Sequence, residues 1–570
     1  MHPTETQQKV SRFHLKKIIL LLSLFLSSTT SMHATENPTL IPVINLLLNN
    51  GNKSCSIDYI DDDPKYDLAY KGLYFYQPAM PHTQYELEQL SDADFNSLTL
   101  TDRRKVADKL LATLFYGYPP QVLHQKITSG NFLCSIRQGL FTEKNDMVWV
   151  ENEIRNDDHY YHTQWSPNEI FDILARFYAM EHLDKHFLHN WIAYTLTQTI
   201  MFSPAYELDS SHYPNVASVY NWLVLDINDD VGMRYSTYMH MTSSDNWRRF
   251  RSPEDNGREM LEIYTFDLDD TDVPKAATTL QSWYLDDDYD TLVIGLNQNT
   301  FPQDIFGTTV TTGFDFYREL VKSNGFTNGS VRRLVDFFFT DNDDASKTVI
   351  TDQIVASNPE TWKDILLQIV FSKEFLLHTK RAKSAEELLF SLVRKLEYKH
   401  NRRGFYYFHY DLIDMNQASM KYKLGKLDRT PLDTLSFAYY HKYIRETILR
   451  KNVDCREDYE NNYEEWWAYG WRPQLLSNDR FTYLEDDAEA SLTSFVSYLF
   501  ELLIQRQPTD EELDMFKSDI LNAERDGYSD WDSNLDGLNG CRYYGREHTA
   551  KDIMDYISRL SELYTFQEIQ

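Results

Sequence analysis

From about residue 101 onward, apolar side chains recur every three to four positions along most of this chain. That spacing gathers them on one face of an α-helix. In "TDRRKVADKLLATLFYG" the residues Val106, Leu110 and Leu114 share a face and Gly117 closes the run. "SPNEIFDILARFYAMEHLDKHFLHNWIAYTLTQTIMF" opens on Ser166, Pro167 and Glu169. This is a cap hydroxyl, a proline whose missing N–H costs nothing in a first turn, and a carboxylate three residues after the cap. Ser252-Pro253-Glu254-Asp255 repeats the device, and Ser384-Ala385-Glu386-Glu387 and Thr509-Asp510-Glu511-Glu512 do so without the proline. Four such starts, each leading into a helical period, predict a mainly α protein: a large multi-helix domain with few short strands. One clear strand candidate is "DTLVIGLN", 290–297, which needs a pairing partner. Acidic loops such as "DINDD", "DDDYD" and "DNDD" punctuate the helices.

The ends of the chain break this pattern. Lys9, Arg12, Lys16 and Lys17 precede an apolar run from Ile18 to Leu26, then small and polar residues to Ala34. Positive, apolar, small is the order of a secretory signal peptide, and 1–34 is assigned as one. The run is too short to span a bilayer, which takes roughly 20 apolar residues. The expectation is an exported bacterial protein, periplasmic or extracellular, with no integral membrane segment after cleavage. Residues 35–95 read as an irregular N-terminal segment and 96–455 as the helical core. Residues 456–486, including "ENNYEEWWAYGWRPQLLSNDRFTY", read as an aromatic-rich connector. A small C-terminal helical unit, 487–570, completes the expected layout. Cys55, Cys134, Cys455 and Cys541 follow the signal, and an oxidising compartment permits two disulfides. Proximity in sequence favours Cys55–Cys134 and Cys455–Cys541.

Charge narrows the partners. The chain carries 87 Asp and Glu against 56 Lys and Arg, a formal charge of −31. Phosphate backbones and anionic lipid demand basic patches, so nucleic acid and lipid surfaces are excluded as expected partners. The aromatic share of 14%, with 39 Tyr, suits cores with wet edges and also sugar binding.

Candidate chemistry centres on "SPEDNGREMLEIYTFD", 252–267. With Ser252 as cap, Glu254, Asp255, Arg258, Glu259 and Glu262 fall within an arc of about 140°. Met260, Leu261, Ile263 and Tyr264 fill the other side. Spacing alone favours a solvated ladder in which Arg258 bridges Glu254 and Glu262. "EDNGREMLEIYTFD" also resembles the N-E-N-Y-A-R-E-L-L-E-L-F-T-L-G signature of the bacterial domain of unknown function 1800 (DUF1800) family. Glu254, Arg258, Glu259, Leu261, Glu262 and Thr265 match it. "DVPKAATTLQSW", 272–283, resembles the family's D-V-x-x-A-A-x-x-L-T-G-W, and "FLHNWI", 187–192, its F-W-H-N-H-F. "FSKEF", 371–375, and "KSAEE", 383–387, resemble its S-P-E-F and K-x-P-x-E. Trp191 stands at the family's second histidine and Asn256 at its tyrosine. The resemblance covers roughly 100–420 and implies a secreted helical protein with no established activity. It also raises a second expectation: that Glu254, Asp255, Arg258, Glu259 and Glu262 form an enclosed polar network, structural or ligand-binding, with His189 and Asn190.

Two further groups bear on metals. "HLDKHFLH" spaces His182, His186 and His189 at i, i+4 and i+7 of a helical run. The outer two are separated by about 10 Å of rise, so His186 and His189 with a carboxylate from Glu254, Asp255 or Glu259 form the sharper set, suited to zinc. "DSNLDG" places Asp532, Asn534, Asp536 and Gly537 at the first, third, fifth and sixth positions of a calcium loop, though Tyr543 replaces the bidentate glutamate. A plain Asp/Asn/Gly turn is the competing reading. Trp466, Trp467, Tyr469 and Trp471 form a cluster for burial or for sugar stacking. The nucleophile elbow, phosphate-cradling loop and dinucleotide fingerprint are missing from the sequence. Two functional expectations follow: a non-catalytic envelope protein that binds a protein or glycan partner, or a metal-dependent hydrolase near His189 and the 254–262 helix. A third use of a divalent cation, calcium held for stability alone, attaches to the 532–537 loop.

Overall fold

The computed structural model describes residues 85–145, 177, 180–201, 216–266, 270–286, 291–397, 434–449, 473–484, 486–521 and 544–569. All belong to one compact unit. The leader, Cys55, Cys455, Cys541, the Ser166 cap, the Trp466–Trp471 cluster and the 532–537 loop lie outside them.

The architecture is mainly α-helical, as the periodicity predicts, with three short antiparallel strand pairs among the described residues. Caps set where helices begin. Ser252 Oγ accepts from the Asp255 N–H at 3.1 Å, with Pro253 in the first turn, and the helix runs Pro253–Thr265. Ser384 and Glu387 form a reciprocal box at the start of Ala385–Lys395. Thr509 and Glu512 do the same at Asp510–Leu521, with bonds of 3.2 and 2.7 Å. Each such cap satisfies backbone donors that a helix start leaves open and is worth about 1 kcal/mol.

One start differs from the sequence reading. His182 lies outside any helix, because Asp184 begins a new one, Lys185–Thr199. The Asp184 carboxylate accepts from the Phe187 N–H at 2.9 Å and from the Lys144 and Asn145 N–H groups at 2.9 and 2.7 Å. Those three bonds fix the corner, so His182, His186 and His189 do not share one helical face.

The expected strand 290–297 is Thr291–Ile294, paired antiparallel with Trp283–Asp286. Trp283 and Leu285 point into the core while Tyr284 points out, the period-two alternation of a half-buried strand. A second hairpin, Gln303–Ile305 with Thr308–Val310, turns at Phe306 and Gly307, both with positive φ (58° and 67°). That pair of angles is the twist-matched two-residue turn. The third pair joins Arg381–Ala382 to Thr565–Phe566 near the end of the chain.

Helix packing is close where residues are small. A Cβ on Gly329 would sit 2.5 Å from the Tyr264 carbonyl oxygen, so the Asn324–Phe338 helix rests directly on the end of Pro253–Thr265. One hydrophobic core runs from Leu87 to Ile569 and takes in Leu492, Phe495 and Leu499 of the Ala488–Ile504 helix. The helices after residue 487 therefore bury their apolar faces in the same interior as the rest.

Candidate functional site

The Pro253–Thr265 helix sorts its side chains as its pattern predicts: Met260, Leu261, Ile263 and Tyr264 are buried. The charged stripe faces water. Glu254 and Asp255 are exposed, and Arg258 keeps a third of its side chain in solvent. Arg258 reaches Glu254 at 3.6 Å and pairs with Asp270, whose hydrogen bond holds the guanidinium above its ordinary range. Glu259 and Glu262 are half-buried, and burial together with Glu262 pushes the Glu259 carboxyl up. The expected enclosed network of Glu254, Asp255, Arg258, Glu259 and Glu262 is thus a solvated ladder. Such exposed pairs are screened by water and contribute little to stability.

His189 and Asn190 occupy another neighbourhood. Both are buried on Lys185–Thr199. The Asn190 amide donates to the His186 carbonyl at 2.7 Å and its oxygen accepts from the Tyr220 hydroxyl. His189 Nδ1 has no hydrogen-bond partner among the described residues. Burial drives the imidazole far below its ordinary pKa, and Lys363, Lys185 and His186 push in the same direction. None of the charges acting on His189 comes from the 254–262 ladder, and Arg258 answers to Asp270, Glu254 and Glu262. The structure keeps the two halves of the expected site apart. A cation is a poor guest beside Lys363 and Lys185, and among the described residues no three His, Cys, Asp or Glu groups converge as metal ligands. The His186–His189–carboxylate set is therefore not assembled. Asp532, Asn534 and Asp536 lie outside the described residues.

Trp191 and Asn256, the two positions that break the sequence resemblance, have local explanations. Trp191 is fully buried and its indole N–H donates to the Thr113 carbonyl at 2.8 Å, capping the end of the Leu100–Thr113 helix. Asn256 is buried, accepting from the Tyr317 hydroxyl at 2.6 Å and donating to the Phe250 carbonyl at 3.3 Å.

The polar cluster that the interior does enclose is one the sequence reading missed. Asp108 and Lys109 are both buried on Leu100–Thr113. Asp108 meets Lys395 at 2.8 Å, Lys383 at 3.4 Å and the Ser391 hydroxyl at 3.1 Å. Burial alone would raise the Asp108 carboxyl, but Lys395 and Lys383 hold it below its ordinary value. Lys109 donates to the carbonyls of Phe375, Leu376 and Thr379 at 3.3, 3.2 and 2.7 Å. Burial brings its amine down to about 7, with Arg381 adding to the effect. Arg381 grips Glu387 through two bonds of 2.7 and 2.8 Å. Tyr194 donates to Glu386 at 2.8 Å. The "KSAEE" element supplies Lys383, Glu386 and Glu387 of this cluster. The available signal was in "VADKLLATLF": apolar residues on every side of Asp108 and Lys109 leave no wet face for them. The cluster ties three distant segments together and is built for holding, with each carboxylate facing a cation or hydroxyl.

A different surface is built for reaching outward. Between the two hairpins, the loop 295–302 presents Leu296, 101% exposed, and Phe301, 73% exposed. Tyr284 at 49% and Phe314 at 39% stand on the flanking elements. Among the described residues these are the three exposed aromatic side chains. The loop is not slack. Buried Asn299 donates to the Phe301 and Thr311 carbonyls at 2.7 and 2.8 Å and accepts from the Phe301 N–H at 3.1 Å. Ser282 donates to the Asn297 carbonyl at 2.8 Å and its own carbonyl accepts from the Gly295 N–H at 2.8 Å. Phe314 packs edge-on to Trp283 at 4.8 Å.

Compared with known proteins, the chain matches no family model, no curated protein and no solved structure.

Proposed function

We propose that this chain is an exported envelope protein, related to the domain of unknown function 1800 family, that binds a partner and does no chemistry of its own. What supports the reading is the 295–302 loop. Water penalises a Leu and a Phe held largely exposed, by up to about 1.5–3 kcal/mol for each side chain relative to burial. A chain that fastens such a loop with Asn299 and Ser282 has already met much of the ordering cost of docking. Loops carry binding residues more often than the elements they join, and an ordered loop that exposes apolar side chains is a candidate contact surface. Export rests on the 1–34 leader, and the disulfides Cys55–Cys134 and Cys455–Cys541 belong to the same reading.

The test is photo-crosslinking in the cell that makes the protein. A photoreactive residue at Leu296 or Phe301 should yield discrete crosslinked products, and one at Val349, 57% exposed on another helix, should not. Equal yields at all three sites, or none, would end the reading.

A further inference from the structure

We infer that the helical hairpin 216–241 is a second contact surface, one that docks a cationic amphipathic helix of a partner protein. The inference goes beyond the 295–302 loop and does not depend on it. Two observations carry it.

The first is an apolar face left in water. The helix Val216–Asn228 has Asp226 as its one charged residue and is apolar on more than its inner side. Val219, Tyr220, Leu223 and Ile227 are buried in the core, while Leu225 is 65% exposed and Trp222 half-buried. A helix with apolar side chains all round expects cover on both sides. The next helix, Met233–Met241, lies against it. The Trp222 and His240 rings are 6.0 Å apart. Burial raises the Tyr235 hydroxyl, and the nearby Asp226 charge raises it further. Each of these contacts joins positions about equally far from the turn at 229–232, so the two helices run antiparallel. Leu225 and Asp226 lie three and four residues after Trp222, and Met239, 44% exposed, four after Tyr235. Those spacings put all five side chains on one outer surface.

The second is charge. Between Trp222 and Met239 the charged side chains are Asp226, Asp229, Asp230 and Arg234. Asp230 pairs with Lys363. Arg234 turns away, donating to the Ser323 carbonyl at 3.4 Å and the Thr327 hydroxyl at 2.7 Å. Asp226 and Asp229 meet no base among the described residues. Asp229 accepts from the Asn228 amide at 3.2 Å, and burial together with the Asp229 charge pushes the Asp226 carboxyl up to about 6. Both stand at the C-terminal end of their helix, where the backbone dipole already disfavours an anion. Two carboxylates held at a cost to the fold favour a cation in the partner. Beside an apolar face, the element that presents apolar and cationic groups together is an amphipathic helix. A second copy docking by this same face would set like charges against each other, and nucleic acid and anionic lipid would be repelled.

The experiment uses the full mature chain and two labelled peptides of one length and pattern, an amphipathic Lys/Leu helix and its Glu/Leu counterpart, followed by fluorescence anisotropy. The Lys/Leu peptide should bind, with affinity falling as ionic strength rises from about 0.05 to 0.5 M, where the screening length shrinks about threefold. The combined Asp226→Asn and Asp229→Asn variant should weaken that binding at least about tenfold, and Leu225→Ser, which leaves both carboxylates in place, should weaken it as well. Val349→Ser, at an exposed site on another helix, should leave it unchanged. The double variant keeps the side-chain shapes and removes a repulsion, so its melting temperature should equal or exceed that of the wild type. A fall would mean that the carboxylates already have a cationic partner within this chain, and it overturns the inference. So does Lys/Leu binding that is absent or indifferent to the hairpin substitutions. Glu/Leu binding as tight as that of Lys/Leu, or equal binding to vesicles of zwitterionic phosphatidylcholine, would show an apolar surface without charge selection and overturns it too. None of these outcomes bears on crosslinking from Leu296 or Phe301, which tests the loop alone.

Discussion

Asp108 is one carboxylate shared by two buried ammonium groups, and its removal shows what the cluster contributes. Asp108→Asn keeps the shape and deletes the charge, leaving Lys383 and Lys395 facing each other inside the core. Stranding buried charge costs about 3–5 kcal/mol. Burial already brings the Lys395 amine down to about 8, so in the variant a modest rise in pH should discharge it. Urea denaturation should therefore show a large loss at pH 7 that narrows by pH 9.5; a variant as stable as the wild type at pH 7 would contradict the placement. His189 works in the opposite direction on the pH axis. Its folded pKa lies well below the ordinary value of 6.5 because the ring is buried. As the pH falls below about 6.5 the unfolded chain takes up a proton that the folded chain refuses. Stability then drops by up to about 1.4 kcal/mol per pH unit for each such group. His240, held down to about 3 by burial, adds the same sign. His189→Gln should lose less stability between pH 7 and pH 5 than the wild type, read from the same denaturation curves. Equal slopes would mean that the imidazole is not held neutral.

Between neighbouring elements, two effects compete at Gly329. Alanine is favoured over glycine within a helix by about 1 kcal/mol. Against that, its Cβ would meet backbone atoms of Tyr264 and Thr265 at 2.5–2.6 Å, and backbone cannot swing aside. Overpacking of this kind costs about 1–3 kcal/mol or more. Gly329→Ala should therefore lower the melting temperature, and a rise would show that the two helices do not touch there. Ser252→Ala should cost about 1 kcal/mol through the lost cap alone. The contrast between these sites explains what the sequence could disclose. Caps such as Ser252, Ser384 and Thr509 are local chemistry, complete within four residues, and all three are legible. The 254–262 stripe was legible as an amphipathic face. That it faces water was not, because Arg258 is held there by Asp270 from the following loop. Asp108 and Lys109 were hidden for the converse reason: their partners sit some 270 residues further along, at Thr379, Lys383 and Lys395. The 295–302 loop carries no motif at all. Its character comes from Asn299 and Ser282 closing bonds across the hairpins.

On the scale of the whole molecule, both ends of the described chain close on the segment 371–395. Near the N-terminal end, the Leu90 N–H donates to the Phe371 carbonyl at 2.9 Å and the Lys373 N–H to the Glu88 carbonyl at 2.8 Å. From the other end, Thr565–Phe566 pairs with Arg381–Ala382, and the Ile569 N–H reaches the Leu377 carbonyl at 2.8 Å. Phe566 lies over the Arg381 guanidinium at 4.8 Å and the Lys383 ammonium at 5.2 Å, screening the charge cluster from solvent. A chain tied this way should unfold as one body, since the helices after residue 487 cannot leave without opening the cluster. Calorimetry should give a single transition. Deleting residues 565–570 should lower it and speed proteolytic cleavage within 371–395, because water then reaches Arg381, Glu387 and Lys383. Phe566→Ala tests the same closure without touching the backbone pairing, and the loss of a buried phenyl predicts a cost of about 3–5 kcal/mol. Two resolved transitions in the intact protein, or a truncated chain that melts where the full one does, would mean that the C-terminal helices stand on their own and that the strand pair is incidental.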